Sequence, residues 1–376
     1  MNAVGIIFSS INEKSVHELT KQRTMASVPF GCRYRLIDFA LSNMVNSGIN
    51  HVGIVTHYNY QSLMDHIGSG KDWDLARRHG GIKILPPYIT AFANASNFLY
   101  STRLEALISI REFISDCKED IVVLSDCDTV CNLDLSAMIE RHIETGAEIT
   151  LGVKSSYVST DNTRAVTVVK SDENGKVLDV SDYSGLKSGF EDVYVRLLVV
   201  GRKYLEELIS DAIAHGYTSF TKDILVRNCK YHDMRAFMLD GYFATIRSLN
   251  DYYRCSMDLL DPEIRRSLFG VRNRPVFTKV RNSAPASYDN GAIVRNSLIA
   301  DGCVIQGTVE NSILFRGVKV GKNTHIKNSI IMQDTLTGEN VYLNCVITDK
   351  NVVIRDGRVL SGHETRPFFI DKGSYV

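Results

Sequence analysis

Through residues 1–240 short apolar runs alternate with helical stretches. Residues 4–8, 51–56, 121–125 and 148–153 are near-continuous aliphatic runs, as strands buried on both faces require. Between them, residues 36–47, 103–114 and 135–145 carry apolar side chains three and four apart, the spacing of an amphipathic helix. The alternation predicts an α/β unit around a mostly parallel sheet covered on both faces. Ligands on such sheets bind beyond the carboxyl ends of the strands, which directs attention to the loops after Phe8 and Ser125. Runs at 165–170 and 176–180 flank Asp172-Glu-Asn-Gly175 and predict a hairpin. A helix is expected over 251–260 with its stop at Asp261-Pro262, and Asn273-Arg-Pro275 lies in a linker that runs past Pro285.

The period then changes. Ile293, Ile299 and Ile305 fall six apart, as do Leu314, Val320, Ile326 and Met332, and then Val341, Ile347, Val353 and Val359. Glycine and asparagine fill the positions between. Sixfold aliphatic spacing with turn residues predicts a parallel β-helix of hexapeptide repeats, each aliphatic pointing into a shared core. A sandwich of short strands is the alternative. The expected division is 1–260 for the α/β domain, 261–290 for a linker and 291–376 for the β-helix.

Composition narrows the function classes. Lysine plus arginine equals aspartate plus glutamate at 43 each, which argues against a general nucleic-acid or membrane role while allowing a local basic pocket. No apolar run reaches the ~18 residues of a membrane span. The N-terminus has neither a basic n-region nor a cleavage pattern. The eight cysteines form no Cys-x-x-Cys pair, so reduced thiols in a cytoplasmic protein are expected rather than a zinc site.

One segment is more specific than any of these patterns. Val28-Pro-Phe-Gly-Cys-Arg-Tyr-Arg-Leu-Ile-Asp-Phe-Ala-Leu-Ser-Asn43, continuing through Asn46-Ser-Gly-Ile49, closely resembles the signature of the glucose-1-phosphate adenylyltransferases. These enzymes join ATP and glucose 1-phosphate to give ADP-glucose and pyrophosphate. The resemblance implies a Rossmann-like nucleotide-diphospho-sugar transferase domain followed by a left-handed parallel β-helix, which agrees with both periodicities.

The same resemblance exposes what is missing. Transfer of an adenylyl group is stabilised by position and electrostatics, so phosphate-binding cations and metal-binding carboxylates are required. The family's Gly-Gly-x-Gly-x-Arg-Leu loop lets backbone N–H groups approach phosphate. Here Ser9, Ser10, Ile11 and Asn12 stand there, followed by Glu13, and Lys14 is offset from the family arginine. Met25 aligns with the lysine of Arg-Ala-Lys-Pro, where it reads equally as core filler. Cys127 aligns with the metal aspartate of Gly-Asp-His. In the run matching Trp-x-Asp-x-Gly-Thr, Thr245 replaces the second metal aspartate and Arg247 the glycine. No Glu-Lys-Pro triplet appears at 181–185, and residues 97–103 replace the Gly-Thr-Ala-Asp region. Ser9, Ser10, Met25, Cys127 and Thr245 are thus eroded positions. Asp126 and Asp128 remain as metal candidates, or as an Asp-x-Asp of the glycosyltransferase kind, or as local turn caps.

Some basic residues survive. Arg23 and Arg35 match family arginines of an anionic-effector pocket between the domains, and Arg366, in Thr365-Arg-Pro-Phe-Phe369, matches a third. The alternatives are that Arg35 pairs with Asp38 or another core carboxylate and that Arg23 is a surface charge. Pro29 replaces the family histidine of this region, and His325 within a rung is expected to be solvent-facing or inter-rung. The chain most resembles the regulatory, non-catalytic members found beside the catalytic enzyme in some Gram-positive bacteria. That implies a catalytic homologue as partner, a phosphorylated effector, and a homo- or hetero-tetramer. It implies no cofactor for this chain, Mg²⁺ belonging to the catalytic partner. An active nucleotidyltransferase with a modified site, and a sugar-phosphate sensor, are the alternatives.

Overall fold

In chain order the strands of the first domain are β1 (Ala3–Phe8), β2 (Pro29–Phe30), β3 (Tyr34–Arg35), β4 (His51–Val55), β5 (Gly81–Leu85), β6 (Ile121–Asp126), β7 (Thr129–Cys131), β8 (Ile149–Val158), β9 (Thr167–Ser171), β10 (Val177–Asp182), β11 (Gly189–Gly201), β12 (Met234–Met238) and β13 (Phe243–Thr245). The computed structural model describes residues 2–9, 16–87, 100–159, 166–183 and 188–376. β1 is buried along its whole length and pairs in parallel with β4 and β6, while β4 pairs in parallel with β5. Its side chains alternate between two cores: Ala3 and Ile7 join one, Val4, Ile6 and Phe8 the other. The parallel core is extended by β11, which runs antiparallel to both β6 and β8. β9 and β10 form the expected antiparallel hairpin.

The helix expected over 103–114 is two helices, Arg103–Ser109 and Arg111–Asp116, broken at Ile110. Leu135–Thr145 matches its expected bounds, opened by the Asp134 carboxylate on the Ser136 N–H and closed by left-handed Gly146. Asp261-Pro262 follows one helix, Leu249–Asp258, and opens the next: Asp261 caps the helix Pro262–Phe269 and Pro262 occupies its first turn. The expected linker, 261–290, therefore starts with a helix, whose Leu268 is fully buried.

Three five-stranded parallel sheets form the β-helix. Its register departs from strict sixes. Ile305 pairs with Val320 and Lys319 with Leu336, so successive coils step by 15 and 17 residues rather than by three full hexads. The inward position shifts accordingly. Val359 is 70% exposed and Ile293 45%, while their neighbours Leu360 and Val294 pack on the core. Ile354, not Val353, is the fully buried member of its pair. The corners explain the shortened coils. Left-handed residues stack at Asn296, Asn311, Asn328 and Cys345, and again at Asn323, Asn340 and Gly357. Asparagine tolerates that conformation at little cost. Its amide also ties coil to coil, as Asn296 Nδ2 does to Asn311 Oδ1 at 2.8 Å.

The two domains share a core. Ile313, Phe315, Ile330, Met332 and Ile347 of the β-helix pack in one cluster with Met25, Phe30, Tyr252 and Leu259 of the first domain. Tyr253 Oη donates to the Asn328 carbonyl at 2.6 Å across the same junction.

Candidate functional site

The carboxyl ends of β1 and β6 meet where Phe8 pairs with Asp126. Ser9 follows, fully buried, its N–H bonded to the Val55 carbonyl and its carbonyl accepting from Ala26 N–H. Ser10 and residues 11–14 lie outside the described residues, as do 97–99 and 184–187. Met25 is 1% exposed in the core, so the filler reading holds at that position. Cys127 is likewise buried. β13 pairs antiparallel with β7, setting Thr245 opposite Thr129, and the Ile246 N–H reaches the Asp128 carbonyl at 2.8 Å. Thr245 lines a cleft of 510 Å³ together with Tyr157, Tyr194, Arg247 and Arg254.

Asp126 and Asp128 do sit side by side at this strand end, both buried. Their side chains meet two arginines from distant elements. Arg196 Nη1, from β11, lies 3.3 Å from Asp128 Oδ2 and 3.7 Å from Asp126 Oδ2. Arg103 Nε, from the first turn of its helix, lies 3.7 Å from Asp126 Oδ1. Arg103 also donates to Tyr194 Oη at 3.1 Å and rests over the Phe8 ring. Burial raises the Asp126 carboxyl above its usual range; Arg103 pulls it back, Asp128 pushes it further up, and Arg196 lowers it. Burial opposes the charge on Arg196, yet Asp128 and Asp126 outweigh it and hold the guanidinium above its ordinary value. These long-range ion pairs tie both carboxylates to β11 and to the Arg103 helix.

The second site lies between the domains. Arg35 is 8% exposed; Nη1 donates to the Ser62 carbonyl at 2.5 Å and to its Oγ at 2.9 Å. The expected link to Asp38 runs through the Arg35 backbone N–H at 3.0 Å, while the other Asp38 oxygen meets His66 Nε2 at 2.6 Å. Arg35 lines a crevice with Arg33, Lys279, Arg281, Arg316 and Lys350. Nearby carboxylates are already engaged: Asp38 as above, Asp301 with Arg316 at 3.0 Å, and Asp349 with Arg23. The charges therefore press on one another. Burial, then Arg35 and Arg23, bring the Lys350 amine down to about 7; Asp349 opposes the fall and Arg281 adds to it. Burial lowers Arg35 to about 10, Asp38 opposing and Arg281 and Arg23 adding to the fall.

Of the three effector candidates, only Arg35 lines this crevice. Arg23 is no surface charge: it is 3% exposed, and Nη2 reaches both Asp349 carboxylate oxygens at 2.9 Å, bolting the first domain to the β-helix. Arg366 is exposed, in a turn where its N–H bonds the His363 carbonyl. His325 is an inter-rung residue, 3.3 Å from Glu310 of the previous coil and edge-on to Tyr342 of the next.

Two family models match. "Nucleotidyl transferase" covers residues 6–182, and "GlmU-like, C-terminal hexapeptide" covers residues 283–366. The second match assigns the three-sheet prism as a left-handed β-helix of hexapeptide repeats. The chain is 33% identical to the glycogen biosynthesis protein GlgD of Bacillus subtilis (strain 168), over 98% of this chain and 96% of that one. It is 35% identical to GlgD of Geobacillus stearothermophilus, over 99% and 96%. It is 32% identical to the glucose-1-phosphate adenylyltransferase of Halalkalibacterium halodurans, over 86% and 83%. The chain belongs to the glucose-1-phosphate adenylyltransferase family.

Within that family frame, sequence reading missed Arg103, Arg196, Arg281 and Lys350. A signal for Arg196 was present: a charged residue interrupts Val193-Tyr-Val-Arg-Leu-Leu-Val-Val200, where burial demands a partner. The crevice cations come from the first domain, the connecting stretch and the β-helix, and no local pattern links such positions.

Proposed function

We propose that this chain is a regulatory subunit of glucose-1-phosphate adenylyltransferase in glycogen biosynthesis, weak or inactive by itself, which activates a catalytic homologue. The observation that carries this reading is the pairing of Asp126 and Asp128 with Arg103 and Arg196, with Thr245 offering a hydroxyl where a second metal carboxylate is needed. Mg²⁺ in phosphate chemistry relies on one or two carboxylates open to the ion and to substrate phosphates. Here both carboxylates face guanidinium groups instead. Met25 contributes no charge for a triphosphate.

Activation would then be mechanical. A subunit that favours the competent state of its partner by about 1–3 kcal/mol gives a 5- to 150-fold effect. The interdomain crevice supplies the place where a phosphorylated effector acts on that balance. Arginine suits such a ligand because its fork is bidentate and permanently charged, and Lys350 adds a point charge beside it. Binding draws on cations that repel one another across the crevice, so the anion relieves that repulsion.

Mixed-subunit kinetics test the proposal. The purified chain alone, given ATP, glucose 1-phosphate and Mg²⁺, is expected to show no turnover near the usual range of about 1–10³ s⁻¹. Added to a catalytic homologue, it is expected to raise the rate or lower the apparent KM. Full turnover by the isolated chain, or no effect on the homologue, would refute it.

A further inference from the structure

The family's chemistry places a divalent cation beyond the carboxyl end of β6, and the residues of this chain do not fit one. Mg²⁺ demands near-octahedral oxygen ligands at about 2.0–2.1 Å and retains several waters. Among the described residues, those standing at the family's metal-binding positions are the Asp126 and Asp128 carboxylates and the Thr245 hydroxyl. Guanidinium nitrogens already stand against three of the four carboxylate oxygens. We propose that Arg196 is the resident cation of this site: its guanidinium, seconded by Arg103, balances the carboxylates and closes the position to divalent metal. This goes beyond the regulatory reading and stands whether or not the chain activates a partner.

Charge is the first argument. Two carboxylates face two guanidiniums, so the cluster is neutral as built when all four are ionised. The carboxylates are 5% and 4% exposed at their side chains. A divalent ion added there would leave two uncompensated positive charges in a poorly solvated place, which is costly.

Backbone geometry is the second argument, and it is independent of charge. Arg196 has φ 61°, in the left-handed region that long side chains avoid. It lies where the register between β11 and β8 breaks, between Tyr194 and Leu198. A bulge of this kind re-aims a side chain out of the strand's regular alternation. The facing strand makes room for it: a Cβ on Gly152 would come within 3.1 Å of the Leu197 carbonyl oxygen. Strand, bulge and facing glycine thus combine to hold one arginine in an unfavourable conformation, and its charge ends at the carboxylate pair. Strain of this sort persists where the surroundings over-determine it.

The third argument is that the second cation is locked. Arg103 is held by the Tyr194 hydroxyl and by the faces of Phe8 and Phe220, at 4.8 and 5.7 Å from the ring centroids. The Arg196 side chain is 31% exposed, so it forms the solvent-facing lid of the cluster.

Mn²⁺ binding to the full chain, followed by the electron paramagnetic resonance signal of the free ion, tests the assignment. The wild-type chain is expected to bind no Mn²⁺ that depends on Asp128. Arg196→Gly, in which the left-handed backbone is native to the new residue, is expected to gain one site per chain. Its affinity should be at least about tenfold above wild type, and the gain should vanish in Arg196→Gly/Asp128→Asn. A wild-type site lost in Asp128→Asn would overturn the proposal, as would a folded Arg196→Gly chain with no gain. Where Arg196→Gly fails to fold, thermal melts of the wild-type chain decide: a melting temperature unmoved by millimolar Mn²⁺ supports the assignment, and a rise that requires Asp128 overturns it.

Discussion

Replacing Asp349 by asparagine should loosen the joint between the two domains. Asp349 keeps its shape in that variant and loses its charge, while Arg23 stays where it is, 3% exposed, its guanidinium bonded otherwise, among the described residues, to the Leu19 carbonyl at 3.4 Å. With an effective dielectric near 20, unit charges 2.9 Å apart attract by about 6 kcal/mol. Desolvation of both groups offsets much of this in the intact pair. In the variant the desolvation of Arg23 remains and the attraction is gone, so the expected cost is about 3–5 kcal/mol. Lys350 pushes toward the upper end, because Asp349 is the carboxylate that opposes its depressed pKa. The assay is denaturant unfolding followed by Trp73, the single tryptophan, which lies 5.6 Å from the His66 ring beside this junction. Two controls apportion the effect. Arg23→Met alone should cost as much as Asp349→Asn or less, and Arg23→Met/Asp349→Leu should recover most of the loss, since two apolar groups leave no buried charge. An Asp349→Asn chain within about 1 kcal/mol of wild type would refute the buried-pair argument.

Four further outcomes are expected. Lys350 titrates near 7 in the folded chain against 10.5 for a free lysine, so the unfolded state holds the extra proton between those values. Stability should therefore rise with pH across that window; the cost of the buried charge is full below about 7 and absent in Lys350→Met, as pH-dependent melts would reveal. For the same reason inorganic phosphate should bind with proton uptake and lose affinity as pH climbs above about 7, which calorimetry in buffers of different ionisation enthalpy would detect. Arg35→Lys should blunt the response to a phosphorylated effector in mixed-subunit assays while circular dichroism stays unchanged, because an ammonium cannot keep both Ser62 bonds and a bidentate ligand. Gly321→Ala should destabilise the β-helix by about 1–3 kcal/mol or more, since its Cβ would fall 2.2 Å from the Gly338 carbonyl oxygen of the next coil.

The most family-like segment of the sequence builds the scaffold. In the helix Leu36–Asn46, every residue from Leu36 to Met44 is buried. Ser42 Oγ takes the Phe277 N–H at 2.8 Å, and Asn43 Oδ1 takes the Leu133 N–H at 3.0 Å. These side chains dock the connecting stretch and the start of the Leu135–Thr145 helix, so they are needed whether or not a nucleotide is ever turned over. That is why the α/β domain could be read from sequence. The aliphatic runs at β1, β4 and β6 are likewise demanded by a core on both faces. Sixfold spacing revealed the β-helix, but its phase drifted, because the shortened coils depend on corner conformation and aliphatic counting does not see corners. Chemistry was legible chiefly as loss. A missing lysine or aspartate shows at one position, whereas a replacement cation is built from a bulge in β11, a helix start at Arg103 and a strand end at Asp126.

Together the two sites change the physical role of charge in this fold. At the strand ends the chain meets its own carboxylates with its own arginines, and the cluster is closed and neutral. Between the domains it does the opposite: Arg35, Arg281 and Lys350 are gathered while Asp349, Asp38 and Asp301 are also engaged by other groups, leaving an excess of positive charge among the described residues. A chain kept only for catalysis would need an open site at the first place, and a purely structural one would gain stability by neutralising the second. Retaining an excess of cations that lowers Lys350 by burial and repulsion costs folding free energy below neutral pH, a cost that binding of the proposed anion would recover. The crevice spans the two domains whose joint is the Arg23–Asp349 pair, so an anion seated there bears on the same interface. Binding energy spent at that seam can shift how the domains sit, which is the differential contact a regulatory subunit needs in order to bias its partner.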